Sequence, residues 1–156
     1  MKVKTIIDED FINYKKASMY IAFPNCSFKC GKDLCQNSPL AKQECVDIEY
    51  ESIVKRYMDN PYTNAIVFAG LEPFDDFHDV ELLIHHFRNK TEDDIIIYTG
   101  YNKDECEYWI GMFKVFWGFT NIIIKFGRYI PNQKPHYDEV LGVNLASDNQ
   151  YAERIC

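Results

Sequence analysis

Three cysteines lie close together near the amino end of the chain, at Cys26, Cys30 and Cys35. Thiolates are soft ligands that select zinc, copper(I) or iron–sulfur clusters. A structural zinc site uses four ligands, usually in C-x2-C pairs, and a ferredoxin-type cluster also takes four cysteines. A cluster held by only three would leave one iron open to another ligand, as a catalytic metal requires. The loop therefore indicates a metal or redox site.

The other three cysteines, Cys45, Cys106 and Cys156, are scattered, and we interpret them as ordinary buried or surface thiols. Cys45 as a fourth ligand is the alternative, although a helical turn predicted over residues 39–43 would carry it away from the loop. The amino-terminal residues do not form a signal peptide, which predicts a cytoplasmic protein. In that reducing compartment, six cysteines favour metal or redox chemistry over disulfides.

The elements that must position this loop follow from the apolar runs in the chain. The runs are continuous, not alternating, and helical patterns separate them, which is typical of parallel strands covered by crossover helices. No linker or repeat divides the sequence, so we expect one domain over residues 1–156. The predicted strands are 17–23, 65–68, 94–98, 121–125 and 140–145. Helices are predicted from Tyr50 to Met58, from a first turn that holds Asp75, Asp76 and Asp79 to Phe87, and around Tyr108 to Phe113.

Three segments whose residues could take part in chemistry directly follow the first three of these strands. They are residues 25–36, which hold the cysteines, residues 69–73 and residues 99–101. Functional residues of parallel α/β folds lie beyond the carboxyl ends of the strands, which meet at one edge of the sheet. The sequence therefore predicts that the three segments form one site.

The cysteine loop, with Phe23-Pro24-Asn25 before it and Gln36-Asn37 after it, resembles the cluster loop of radical S-adenosylmethionine (radical SAM) enzymes. More narrowly, it is similar to that of the anaerobic ribonucleotide reductase activating proteins. The usual loop is C-x3-C-x2-C with an apolar residue before the third cysteine, a place that Leu34 takes here. The second spacing is x4 in this chain, and Gly31 can accommodate the turn that the longer loop needs.

Further segments extend the resemblance. Residues 69–73 resemble a G-G-E-P segment, with Ala at its first glycine and Leu71 as an insertion or substitution. Residues 98–101 resemble a Y-T-G-Y segment, and residues 145–150 resemble a G-S-S-N-Q segment. Residues 127–129 resemble a D-G-x-Y/F step in which Phe126 stands in place of the acid. The resemblance implies that the three cysteines hold a [4Fe-4S] cluster and act catalytically through it. It also implies SAM contacts from Leu34, Gly70, Glu72, Pro73, Tyr98, Thr99, Gly100, Asn149 and Gln150.

The resemblance also implies a fold, an activity and partners. The fold is an incomplete (β/α) barrel of mostly parallel strands with outer helices. The activity is reductive cleavage of SAM to generate a glycyl radical on an anaerobic ribonucleotide reductase, with the large reductase subunit and an electron donor such as flavodoxin or ferredoxin as partners. Alternatives are an activase of another glycyl-radical enzyme, a small-molecule radical SAM enzyme or, from another class, a zinc-stabilised interaction module.

Charge and hydropathy exclude other classes of protein. Seventeen basic against 24 acidic residues give a net charge of −7, which argues against direct nucleic-acid binding through phosphates. No apolar stretch approaches the roughly 20 residues of a membrane helix, so no membrane association is expected. No Walker loop, dinucleotide-binding fingerprint or nucleophile elbow occurs in the sequence.

Overall fold

A central sheet of six strands organises the molecule. The computed structural model describes residues 1–156 apart from the side chain of Leu34. The strands are β1 (Lys2–Val3), β2 (Thr5–Asp10), β3 (Ser18–Phe23), β4 (Val46–Asp47), β5 (Ala65–Gly70), β6 (Asp94–Tyr98), β7 (Ile122–Phe126), β8 (His136–Asp138), β9 (Val143–Leu145) and β10 (Tyr151–Arg154).

The strand order of the central sheet is β10-β7-β6-β5-β3-β2. The four inner strands are parallel, and β2 and β10 add antiparallel edges to them. The fold is therefore mixed α/β with a mostly parallel sheet. The two edge strands were not predicted because β2 carries three acids and β10 is short and polar.

The last predicted strand, over residues 140–145, is wrong in its extent and in its partner. Gly142 has φ +73°, a left-handed conformation that ends the extended chain and forms the turn of a hairpin. Only Val143–Leu145 is a strand, and it pairs with β8 in a separate two-stranded sheet. A second two-stranded sheet pairs β1 with β4.

The helices cover one face of the central sheet. They are α1 (Ser38–Ala41), α2 (Tyr50–Met58), α3 (Phe77–Arg88) and α4 (Glu107–Gly111), and a π-helical turn, Met112–Phe116, continues α4. The apolar faces of α2 and α3 are buried against alternate residues of the parallel strands, except that Met58, predicted on the face of α2, is 48% exposed. Asp75 and Asp76, predicted in the first turn of α3, lie in a 3₁₀ turn before it. Burial of these faces, more than helix propensity, stabilises such short helices. The core on this face includes Ile53, Val54, Tyr57, Val80, Leu83, Ile84 and Phe87 from the helices, with Ile21, Phe68, Ile97 and Ile124 from the strands.

The opposite face of the sheet is covered by loops and by the hairpin of β8 and β9. Here Val67, Ile96 and Ile123 pack beneath Tyr14 and Leu141 in a second, smaller core. Because successive side chains of a strand point to opposite faces, this face receives the alternate set of strand residues. Towards the carboxyl ends of the strands the cover gives way to a cavity, where the candidate site lies.

The incomplete barrel implied by the resemblance stays a prediction. No helix among the described residues has the length and apolar character needed to span a bilayer.

Candidate functional site

A cavity of about 340 Å³ opens at the carboxyl ends of the inner strands. All three predicted segments reach it: the cysteine loop after β3, the turn after β5 and the turn after β6. Cys26, Cys30 and Cys35 all line it. The sequence predicts one site from these three segments, and in the structure they meet at this edge of the sheet.

The floor of the cavity is built from side chains of four adjacent strands. Tyr20 of β3, Ala69 of β5, Tyr98 of β6 and Lys125 of β7 all line it. The strand register pairs Tyr98 with Lys125 directly. The small side chain of Ala69 leaves open the volume that a larger residue would fill.

The cysteine loop is held by acids of the 3₁₀ turn Pro73–Asp76, which follows β5. The side-chain amide of Asn25 donates to Asp76 over 2.6 Å, and the backbone N–H of Ser27 donates to Asp75 over 2.5 Å. These bonds connect the loop to the next parallel strand, so its cysteines are positioned by the sheet and not by the loop alone.

The thiols themselves are partly buried and free. Burial raises the pKa of Cys26 to about 11, and it also raises the pKa of Cys30, with Cys35 nearby as a smaller cause. The backbone N–H of Phe28 donates to the Cys26 sulfur over 3.2 Å and favours its thiolate. Metal binding releases the thiol protons, so ligation would reverse the effect of burial.

This donor set fits an iron–sulfur cluster, since three soft sulfurs border one cavity and one of them already accepts an N–H bond. In the part of the chain that the structure describes, no three His, Cys, Asp or Glu side chains converge as ligands of a single ion. The remaining cysteines lie elsewhere: Cys45 is exposed, Cys106 is in the core and Cys156 packs at its border.

Gly70 ends β5 at the closest approach of two strands. Its φ is +92°, and a Cβ atom there would lie 2.7 Å from the Ala22 Cα and 2.8 Å from the Phe23 nitrogen. Its carbonyl accepts a bond of 2.6 Å from the side-chain amide of Asn37, just beyond the cysteine loop. Glycine is therefore required here by both conformation and space.

Glu72 is buried at the centre of the site, with 4% of its surface exposed. Its Oε1 atom accepts from the Thr99 hydroxyl (2.7 Å) and the Phe74 N–H (3.2 Å), and its Oε2 atom accepts from the Gly100 N–H (2.8 Å). Burial raises the pKa of Glu72 to about 7, although the three donors oppose that shift. The carboxylate thus joins the turn after β5 to the turn after β6 and leaves Oε2 with capacity for a further donor.

The turn after β6 is also fixed by hydrogen bonds. The Tyr98 hydroxyl donates to the Asn13 carbonyl over 2.6 Å, and the Tyr101 hydroxyl donates to Asp75 over 2.6 Å. Tyr98, Thr99 and Gly100 all line the cavity, as the resemblance implies.

Two described residues that the resemblance places against SAM, Pro73 and Asn149, do not line the cavity. Pro73 is buried and begins the 3₁₀ turn. Its ring suits this first position of a helical turn. The side chain of Asn149 donates to the carbonyl of Arg128 over 2.9 Å. It therefore contacts a residue of the cavity wall without lining the cavity itself. The side chain of Leu34 lies outside the described residues.

Gln150 does line the cavity, but its side chain is used by the main chain. Its Oε1 atom accepts from the N–H groups of Ala146 and Ser147, and its Nε2 atom donates to the Gly127 carbonyl. It therefore shapes the wall that the chain forms after β9.

Sequence reasoning missed several cations and aromatic rings of the cavity. The Lys125 ammonium is buried and donates to the Gly127 carbonyl over 2.8 Å. Lys29 and Arg128 both border the Tyr101 ring, 4.4 and 5.5 Å from its centre. Strand alternation could have assigned Lys125 to the face opposite Ile124, but that face could be identified only from the fold.

The comparisons with known proteins identify one family. The family model described as "4Fe-4S single cluster domain" matches residues 15–140, which include every cysteine of the loop and the three strands β5, β6 and β7. No curated protein and no solved structure matches the chain.

Proposed function

Because the chain belongs to the family of 4Fe-4S single cluster domains, we propose that it is a radical SAM activase acting on an anaerobic ribonucleotide reductase. A [4Fe-4S] cluster is the cofactor of the family. The observation that carries the proposal is the meeting of the cysteine loop, Gly70, Glu72, Thr99 and Gly100 at one cavity. The one-sided placement of the helices supports the incomplete barrel that we propose for the fold.

Cys26, Cys30 and Cys35 would hold the cluster, since they are the cysteines that line the cavity. When bound, such a cluster offers an iron without a protein ligand and an electron for the reductive cleavage of SAM to methionine and a 5′-deoxyadenosyl radical. The Phe28 N–H stabilises the thiolate of Cys26. The anchored loop keeps the sulfurs at the cavity wall.

The protein's own groups would then bind SAM. Glu72 Oε2 has capacity to accept from the amino group of the methionine moiety, and Thr99 and Gly100 hold that carboxylate in place. Tyr20 and Tyr98 supply aromatic surface at the floor of the cavity. The buried and half-buried side chains of this floor would limit the access of water to a reactive species.

The overall reaction requires two protein partners. An electron donor of the flavodoxin or ferredoxin kind supplies one electron for each SAM cleaved. The 5′-deoxyadenosyl radical takes a hydrogen atom from a glycine Cα of the large reductase subunit, which leaves 5′-deoxyadenosine and a glycyl radical. Cytoplasmic localisation belongs to the same proposal.

Anaerobic reconstitution tests the proposal directly. The protein is purified without oxygen, loaded with iron and sulfide, reduced with dithionite and mixed with SAM. We expect release of 5′-deoxyadenosine and, when the reductase is added, a glycyl-radical signal in electron paramagnetic resonance. A colourless, zinc-loaded protein that leaves SAM intact would instead identify a zinc-stabilised module.

Cysteine variants separate the ligands from the other thiols. Cys35→Ala should abolish the cluster absorbance, whereas Cys156→Ala should retain it. Loss of the cluster in Cys45→Ala would contradict the three-ligand arrangement. If SAM is cleaved but the reductase acquires no radical, the substrate is another glycyl-radical enzyme or a small molecule.

A further inference from the structure

The strand β9 borders the cavity along its main chain. Val143, Asn144 and Leu145 all line the cavity, and Ala146 continues the wall. Successive side chains of a strand point to opposite faces, so a run of consecutive lining residues means that the cavity meets the edge of the strand. Among the described strands, β9 pairs with β8 alone, which leaves its other edge without a strand partner.

A free strand edge has a specific binding chemistry. Its N–H and C=O groups alternate with the spacing of another extended chain, and a peptide can add to such an edge as a further strand. The side chains of Val143 and Leu145 pack towards the second core, while Asn144 is exposed. The strand is thus held firmly from one side and open at its edge.

One exposed apolar side chain lies at the same opening, and two others are its chain neighbour and the cross-strand partner of a lining residue. Ile12 lines the cavity with 78% of its surface exposed, and its neighbour Phe11 is 68% exposed. Tyr137, 60% exposed, is the cross-strand partner of Asn144. Exposed apolar groups grouped at a cavity mark a surface that contacts a protein or a ligand.

We propose that the free edge of β9 binds the substrate polypeptide as an added strand, while Ile12 contacts its side chains. The inference rests on the proposed function, in which a glycine of a protein must reach the cavity. Glycine has no side chain to recognise, so it has to be located through the main chain around it. An open strand edge beside the cysteines supplies that kind of recognition.

Peptides methylated on their backbone nitrogens test this binding mode. The probe is a short synthetic peptide that spans the radical-site glycine of the reductase, together with two versions N-methylated at alternate residues in opposite registers. A strand paired along one edge uses every second N–H group. One methylated register should therefore lose about tenfold or more in affinity, while the other stays close to the unmethylated peptide.

The readout is peptide affinity by fluorescence anisotropy, and it is independent of catalysis. Equal losses in both registers, no loss in either, or no binding of the unmethylated peptide would overturn the proposal. SAM cleavage is assayed on the same preparation with dithionite and without peptide. A protein that cleaves SAM but shows no register preference refutes this inference alone, whereas one that leaves SAM intact refutes the proposed function.

A matched pair of variants tests the apolar contacts. Ile12→Asp should weaken binding of the unmethylated peptide severalfold, because it places a charge where an apolar side chain would pack. Val115→Asp changes an aliphatic residue of similar exposure, 86%, that does not line the cavity, and it should leave the affinity unchanged. Equal effects of the two variants would argue against Ile12 as a contact.

Discussion

At the scale of single residues, Glu72 connects segments that are separate in the sequence. Donors from its own turn and from the turn after β6 converge on one carboxylate. A buried charge of this kind is tolerated only where its oxygens are satisfied by hydrogen bonds. The same residue that is proposed to bind SAM therefore also assembles the site before SAM arrives.

Replacing Glu72 with Gln should destabilise the protein as well as weaken SAM binding. The two carboxylate oxygens now accept hydrogen bonds from the N–H groups of Phe74 and Gly100. The single amide oxygen of glutamine can accept from only one of these two groups. We expect a loss of about 1–3 kcal/mol in the free energy of unfolding of the cluster-free protein in urea. Glu44→Gln, at an exposed acid, is the control, and equal stability of the two variants would contradict the role of Glu72.

Lys125 gives a prediction about pH. The side chain is 6% exposed, and burial lowers its pKa to about 8, while the unfolded chain titrates near 10.5. Between these values the unfolded state binds more protons, so the stability contributed at this site increases with pH. The unfolding free energy of the wild type relative to Lys125→Met should rise from pH 8 to pH 10.5.

Urea unfolding of both proteins across that range measures the effect, with thiols kept reduced. The comparison with the variant cancels the titration of groups that both proteins share. Lys90→Met, which removes an exposed lysine, is the control variant. A constant difference for Lys125→Met would mean that its ammonium is not desolvated.

The residues that could be predicted are those whose local sequence carries a signal. The cysteines, Gly70, Glu72 and Thr99 follow apolar runs in recognisable segments, and they meet at the cavity. Tyr20 and Lys125 sit inside strands, where nothing local separates a cavity side chain from a core side chain. Their role depends on which face the helices cover, and long-range packing decides that.

At the scale of secondary structure, burial determines what could be predicted. The strands β5, β6 and β7 are covered on both faces, so each is a continuous apolar run that is visible in the sequence. The edge strands β2 and β10 face solvent on one side and can carry charges. Their pairing is a property of the assembled sheet, which is why the sequence pattern did not reveal them.

Replacing Gly70 with alanine tests the contact between β3 and β5, and Gly111 provides the control. Gly70→Ala places a methyl group against backbone atoms less than 3 Å away and forces an alanine into a left-handed conformation, so it should cost about 1–3 kcal/mol or more. Gly111→Ala is the matched control in α4, since apart from its chain neighbours and the backbone of its own helix no described atom lies within 4 Å of its added Cβ. There we expect a gain of about 0.5–1 kcal/mol, because alanine favours helix.

Urea denaturation of the two alanine variants, both without cluster, provides the comparison. The free energies should change in opposite directions. A neutral result for Gly70→Ala would mean that β5 can move away from β3 at its end. The cavity would then be less rigid than the register of these strands indicates.

At the scale of the whole molecule, the core and the cysteine loop differ in the interactions that stabilise them. The core fills both faces of the sheet with buried apolar residues, and a chain of this size buries about 70% of its unfolded surface. The loop between β3 and α1 is mainly exposed and is held by polar contacts to Asp75 and Asp76. We therefore expect the sheet to fold without the cluster, whereas order in the loop should depend on it.

Limited digestion with trypsin tests this separation. Lys29 and Lys32 lie in the cysteine loop, and Lys114 is an exposed lysine of the π-helical turn that continues α4. Cluster binding should slow cleavage after Lys29 and Lys32 about tenfold or more, since ligation of three cysteines restrains the backbone between them, and local opening governs cleavage. Cleavage after Lys114 should keep the same rate with and without cluster, as measured by mass spectrometry. Equal protection at all three sites would mean that the cluster stabilises the fold as a whole, and that the sheet depends on its cofactor.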